Sequence, residues 1–144
     1  MQLKTTSEVI RFAQELEEEA AKLYENLATR YPRSRETFLL FAKESRKNKA
    51  LVQRAYNEAV TDAIETGFSF KGLEVDSYLI HVDLAQDTDL SRAVKKALEL
   101  EEKIQSFYAT AAGMSKGLLT DISRVFERIT KKRNERTRRL TSLL

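Results

Sequence analysis

The chain has 144 residues, of which 25 are basic and 22 acidic, giving a formal net charge of +3. It holds no cysteine and one histidine, His81, which excludes disulfide frameworks, thiolate metal sites, cysteine nucleophiles and any centre that needs two imidazoles. No run approaches the ~18–20 apolar residues of a membrane span and no apolar leader opens the sequence, so a cytoplasmic protein without a membrane partner is expected.

Helix breakers are few and clustered. Pro32 stands alone, while Gly67, Gly72, Gly113 and Gly117 fall in two groups, so four long helices are predicted. The first spans about Thr6 to Arg30, with Ile10, Ala13, Leu16, Ala20, Leu23, Tyr24 and Leu27 at helical spacing. Thr6 or Ser7 is placed to cap its start, ahead of Glu8. The second follows Pro32, from about Ser34 to Thr66, with Phe38, Phe41, Val52, Ala55 and Ala59 on one face. A connector of about twenty residues comes next, through Gly67 and Gly72 to about Thr88, and contains Leu79, Ile80, His81 and Val82. The third helix runs from about Asp89 to Ala112 with Val94, Ala97, Leu98, Ile104, Phe107, Tyr108 and Ala111 inward. A turn over Gly113–Gly117 introduces the fourth, which reaches the end of the chain with Leu119, Ile122, Phe126, Ile129, Leu140 and Leu143 inward.

Short turns within each pair and one long connector between the pairs describe an all-α four-helix bundle. Two antiparallel hairpins are joined by a crossover, the connectivity of the ferritin-like type. It is read as one domain over residues 1–144, with hairpin one at about 6–66, the connector at about 67–88 and hairpin two at about 89–144. An internal repeat supports the two hairpins. Ser7–Ala28 and Ser91–Ala112 align without gaps at an offset of 84 and share Ser, Ala, Glu-Leu-Glu-Glu, Tyr and Ala.

Polar residues interrupt the apolar faces near the middle of every helix. Glu17 lies among Ala13, Ala20 and Tyr24, and Glu101 lies at the matching place among Val94, Ala97, Ile104 and Tyr108. Ser45 and Asn48 fall between Phe41 and Val52, and Arg133 and Arg136 between Ile129 and Leu140. In an antiparallel bundle these four sets meet at one level. A buried carboxylate needs a partner, and the candidates are a metal ion or the two arginines.

Glu17 with Tyr24, Glu101 with Tyr108, and the phenylalanine-led second helix of each hairpin resemble the rubrerythrin branch of the ferritin-like superfamily, over nearly the whole chain. In that family the first and third helices supply a glutamate seven residues before a tyrosine, and the second and fourth each supply Glu-x-x-His for two irons. The resemblance implies an oxidoreductase with a di-iron cofactor, but the ligand motifs are degraded here. Ser45 and Asn48 stand at the first Glu-x-x-His and Arg133 and Arg136 at the second. Two guanidiniums repel a metal and compete for its carboxylates. Arg133, with Arg136, is therefore expected at the former metal position, paired bidentately with Glu17 and Glu101. The competing reading has the arginines snorkel to solvent. Tyr24 and Tyr108 either hydrogen-bond the carboxylates, as the matching tyrosines do in the resembling family, or pack as core with the hydroxyl at an edge.

The expected role is non-catalytic, structural or in interaction with an unidentified protein partner, as a homodimer or larger homo-oligomer, with no catalytic residue and no cofactor. One alternative is an iron- or manganese-binding oxidoreductase or iron-handling protein. It would use Glu17 and Glu101 with Glu18, Glu44, Glu102 or Glu135, and oxygen ligands alone would hold metal less selectively. The other is a basic adaptor for nucleic acid, using Arg124, Arg128, Lys131, Lys132, Arg133, Arg136, Arg138 and Arg139 with Arg46, Lys47, Lys49 and Arg54. These residues spread around their helices, and acidic residues of the first helix (Glu15, Glu17, Glu18, Glu19, Glu25) offer them partners, so a solvated face is the preferred reading. His81 is read as a surface or packing residue, and no glycine-rich phosphate loop occurs.

Overall fold

Thr5, Thr6 and Ser7 could each cap the first helix, and the glutamate at position 8 selects among them. The Glu8 backbone N–H donates to Thr5 Oγ1 at 3.1 Å, and the Thr5 N–H donates to Glu8 Oε1 at 2.9 Å. This reciprocal capping box makes Thr5 the cap of α1, Thr6–Arg30, which corrects the expectation of Thr6 or Ser7. Two backbone N–H bonds are the main reason the Glu8 carboxyl sits below its usual range. The computed structural model describes the backbone of residues 1–66, 68–79, 81–117 and 119–144, and the side chains of all of these except 60–66. Gly67 and Ile80, read above as parts of the connector, lie outside the described residues.

Pro32 opens a 3-10 turn, Pro32–Ser34, where its fixed φ and missing N–H do no harm, and α2 follows as Arg35–Thr66. Asp89 caps α3, Leu90–Ser115, by accepting the Arg92 N–H at 2.8 Å. Gly113 does not break the helix as expected. The helix continues to Ser115, whose hydroxyl bonds back to the Ala111 carbonyl at 2.8 Å. The chain turns instead at Lys116 and Gly117, the latter at φ +89°, a left-handed conformation that suits glycine. The fourth helix, α4, is Thr120–Thr141.

The result is an all-α four-helix bundle. α1 packs on α2 and α3, and α4 packs on α3 and α2, so α1/α4 and α2/α3 are the diagonals. All four neighbouring pairs run antiparallel. Across α1 and α3, for example, Tyr24 meets Glu101 while Tyr108 meets Glu17, so residue numbers rise on one helix as they fall on the other. With every neighbour antiparallel, the connector must climb the length of the bundle, roughly 37 Å for the 25 residues of α1.

Its anchors show the route. Near the start of α1, β1 (Gln2–Leu3) pairs antiparallel with β2 (Leu73–Glu74), and the Phe70 N–H donates to the Lys4 carbonyl at 2.7 Å. Midway, Tyr78 packs edge-on against Phe107, and Lys103 Nζ donates to the Ser77 carbonyl at 3.0 Å. At the far end, the Arg30 guanidinium donates to the Leu84 and Ala85 carbonyls at 2.9 and 2.8 Å. The Tyr31 hydroxyl donates to the Thr88 carbonyl at 2.6 Å. The connector is thus a strap over the α1/α3 side of its own chain. The short sheet was not anticipated, and it brings Phe70, Leu73 and Tyr78 into the core.

The apolar faces predicted for the four helices are buried, except that Leu98 and Leu143 are only partly so. Phe107 sits at the centre of an aromatic cluster with Phe12, Tyr78, Tyr108 and Phe126, with ring centroids 5.2–6.3 Å apart. Among the described residues no helix is long and apolar enough to cross a membrane.

Candidate functional site

The repeat and the antiparallel packing together build a reciprocal pair of hydrogen bonds. Each of α1 and α3 carries a glutamate seven residues before a tyrosine, two helical turns along one face. Laid against each other in opposite directions, each tyrosine faces the other helix's glutamate. The Tyr24 hydroxyl donates to Glu101 Oε1 and the Tyr108 hydroxyl to Glu17 Oε2, both at 2.7 Å. The two bonds are reciprocal, and all four side chains are fully buried.

The fourth helix breaks that symmetry. Arg133 and Arg136 lie three residues apart on the buried face of α4 and are 1% and 2% exposed. Arg133 spans both carboxylates. Its Nη2 donates to Glu17 Oε1 at 2.8 Å, its Nη1 to Glu17 Oε2 at 2.5 Å, and its Nε to Glu101 Oε2 at 2.8 Å. Arg136 Nη1 donates to Glu101 Oε1 at 3.0 Å and to the Ser45 hydroxyl at 2.9 Å. Every carboxylate oxygen of the pair therefore accepts at least one hydrogen bond. The arginines do not snorkel to water. Asn48 lies beside them, 5% exposed, at the base of a cleft between α2 and α4.

Two carboxylates and two guanidiniums make the cluster electrically neutral, which is the condition for burying four charges. Burial pushes the Glu101 carboxyl up, but Arg133, Arg136 and the Tyr24 hydroxyl outweigh it and hold it below its usual range. Burial also weakens the Arg133 guanidinium, and the Glu101 and Glu17 carboxylates more than reverse this, so it is held charged. Burial first, and then the facing carboxylate, drives Tyr24 and Tyr108 well above the ordinary tyrosine range. The guanidiniums also lie near aromatic rings: Arg133 is 5.9 Å from the Tyr108 centroid, and Arg136 is 5.4 and 5.3 Å from those of Tyr24 and Phe41.

The donor set does not fit a di-iron centre. Ser45 and Asn48 on α2 are neutral and the α4 pair is cationic, so Arg133 takes the carboxylates a metal would need. The carboxylates named for an alternative metal site do not gather round Glu17 and Glu101. Glu18 is on the α1/α2 side with Arg46 and Lys49, which hold its carboxyl low against its own partial burial. Glu44 is half exposed beside Arg136. Glu135 pairs with Arg138 at the surface, and Glu102 is exposed. Among the described residues no three metal-type ligands converge.

Of the basic residues of α4, Arg133 and Arg136 are consumed by the core. On α2, Arg46 binds Glu25 and Glu18, and Lys49 binds Glu18, the helix-one pairing anticipated above. His81 is exposed on the strap, in a shallow hollow with Glu15 and Glu19. The tie between Glu44 and Arg136 at 3.4 Å was missed by sequence reasoning. Glu44 does precede Ser45, which marks the face that meets α4, and that adjacency was the available signal. No protein-family model, no curated protein and no solved structure matches this chain.

Proposed function

We propose that this chain is a non-catalytic bundle of the ferritin-like, rubrerythrin-like kind in which a Glu–Arg cluster stands where that family holds two irons. Its role is structural or in interaction, as a homodimer or larger homo-oligomer and toward a protein partner, and it needs no metal. The observation that carries the reading is Arg133, which binds Glu17 with both terminal nitrogens and Glu101 with Nε. The reciprocal Glu–Tyr bonds on α1 and α3 supply the link to the family pattern, and the neutral cluster leaves no carboxylate oxygen without a donor. Tyrosine protons held this firmly, and a carboxyl held this low, make a poor general acid and a poor general base at neutral pH.

Elemental analysis of the purified protein tests this, repeated after anaerobic incubation with ferrous iron and desalting. An iron and manganese content well below stoichiometric, as weak binding to surface carboxylates would leave, is the expected result. Near-stoichiometric metal that disappears in Glu17→Ala and Glu101→Ala would replace this reading with the iron- or manganese-dependent one. Light scattering after gel filtration gives the oligomeric state.

A further inference from the structure

We propose that the cleft between α2 and α4 binds a small organic anion, a carboxylate or phosphate carried on an apolar body. The inference concerns this cleft and does not depend on whether the core takes a metal, so the two readings can fail separately.

The cleft encloses about 460 Å³, within the size range of small-molecule sites. Lys43 and Lys47 line it from α2, and Lys132 and Arg139 from α4. Among the described residues none of these four lies within 4 Å of a carboxylate, whereas Arg46, Lys49 and Arg138 on the same two helices each do. The acids in the lining are already engaged, Glu44 by Arg136 and Glu135 by Arg138. Cations gathered in a concave surface raise the local positive potential and concentrate anions there.

The cleft also has an apolar side and a cationic floor. Leu40 is 39% exposed at its edge. Beneath it the buried Phe41 ring lies 5.3 and 5.4 Å from the guanidiniums of Arg136 and Arg139. Arg136 is the floor, and its hold on the cleft side is weak. Its Nη2 reaches only Glu44 Oε2, at 3.4 Å, from a glutamate side chain that is 44% exposed. Among the described residues its buried Nε has no acceptor. A buried guanidinium with an unpaired N–H is a costly arrangement, and an incoming anion relieves it. The anionic group of the ligand takes the place of the Glu44 carboxylate on Arg136, the rim lysines bracket it, and the apolar body lies along Leu40. Carboxylate and phosphate satisfy these donors alike.

Isothermal titration of the intact protein at about 150 mM salt, where long-range attraction is screened, separates the sources. The probes are phthalate for a carboxylate on an apolar body, adenosine monophosphate for a phosphate on one, and inorganic phosphate for an anion with none. Binding of phthalate or adenosine monophosphate, tighter than that of inorganic phosphate, is expected, and the tighter of the two names the source. Removing the competing carboxylate in Glu44→Gln should strengthen it several-fold. Reversing two exposed rim charges in Lys47→Glu/Lys132→Glu should weaken it about tenfold or more, with the melting temperature as the control for folding. The proposal is overturned if neither organic probe binds the wild type or Glu44→Gln. It is equally overturned if binding survives in the rim variant, or if inorganic phosphate binds as well as the organic probes.

Discussion

Removing Arg133 leaves two other side chains without their main partner. The guanidinium holds Glu17 with both terminal nitrogens and Glu101 with Nε, in a site closed to water. In Arg133→Leu both carboxylates stay buried, with Tyr108 as the remaining donor to Glu17 and with Tyr24 and Arg136 on Glu101. Breaking a buried ion pair from one side costs about 3–5 kcal/mol, a fall in melting temperature on the order of 10 °C for a chain of this size. Adding Glu17→Gln removes the carboxylate left with the fewest donors and should recover part of the deficit, because the two positions are coupled. Arg136→Leu should be milder, since Glu101 keeps Arg133 and Tyr24. Thermal denaturation of these proteins and of Glu17→Gln alone, followed by circular dichroism, measures this, and losses that simply add in the double variant would show the residues to be uncoupled.

At the scale of elements, the bundle depends on signals of two kinds. Helix spacing and helix ends are local, and most were legible. The exception at the start of α1 is instructive, since three cap-type residues stand in a row and the Thr5–Glu8 interval alone picks out the capping box. Thr5→Ala should lower stability by about 1 kcal/mol, read as a shift of the urea midpoint with unchanged slope. The pairing of Gln2–Leu3 with Leu73–Glu74 was not legible, because two-residue strands carry no periodicity and the partner lies some seventy positions away. The direction of Arg133 and Arg136 was open for a different reason. A long side chain can reach either water or the core from one backbone position, and only the level at which α4 crosses the two glutamates decides. The repeat located Glu17, Tyr24, Glu101 and Tyr108, but their reciprocal bonding requires α1 and α3 to be neighbours, which follows from the route of the strap. Arg30 fixes the upper end of that strap through two backbone carbonyls. Arg30→Ala should speed hydrogen exchange in the strap around residues 84–88 while leaving the helix amides protected; equal protection in both proteins would show that other contacts suffice.

For the whole molecule, the cluster sets the pH range over which the bundle stands. Glu101 has its folded-state pKa lowered, burial working against it and Arg133 and Arg136 for it. Its contribution is complete above the unfolded carboxylate range and is lost as pH falls through the lowered value. Tyr24 and Tyr108 are raised, by burial and then by the carboxylate each one faces. Their contribution is complete below the unfolded tyrosine pKa of about 10 and is lost as pH rises beyond it, because the unfolded chain then releases protons that the folded chain retains. Stability should therefore be level through neutral pH and fall at both ends. The alkaline limb belongs to two known hydroxyls and can be removed. In Tyr24→Phe/Tyr108→Phe the carboxylates lose two donors, at about 1.5–3 kcal/mol each, so the variant is less stable at neutral pH, yet its stability should decline less steeply above pH 10. Urea midpoints measured across the pH range at fixed ionic strength give both limbs. The same alkaline slope in the variant and the wild type would assign that limb to other groups and leave the tyrosines as neutral hydrogen-bond donors only.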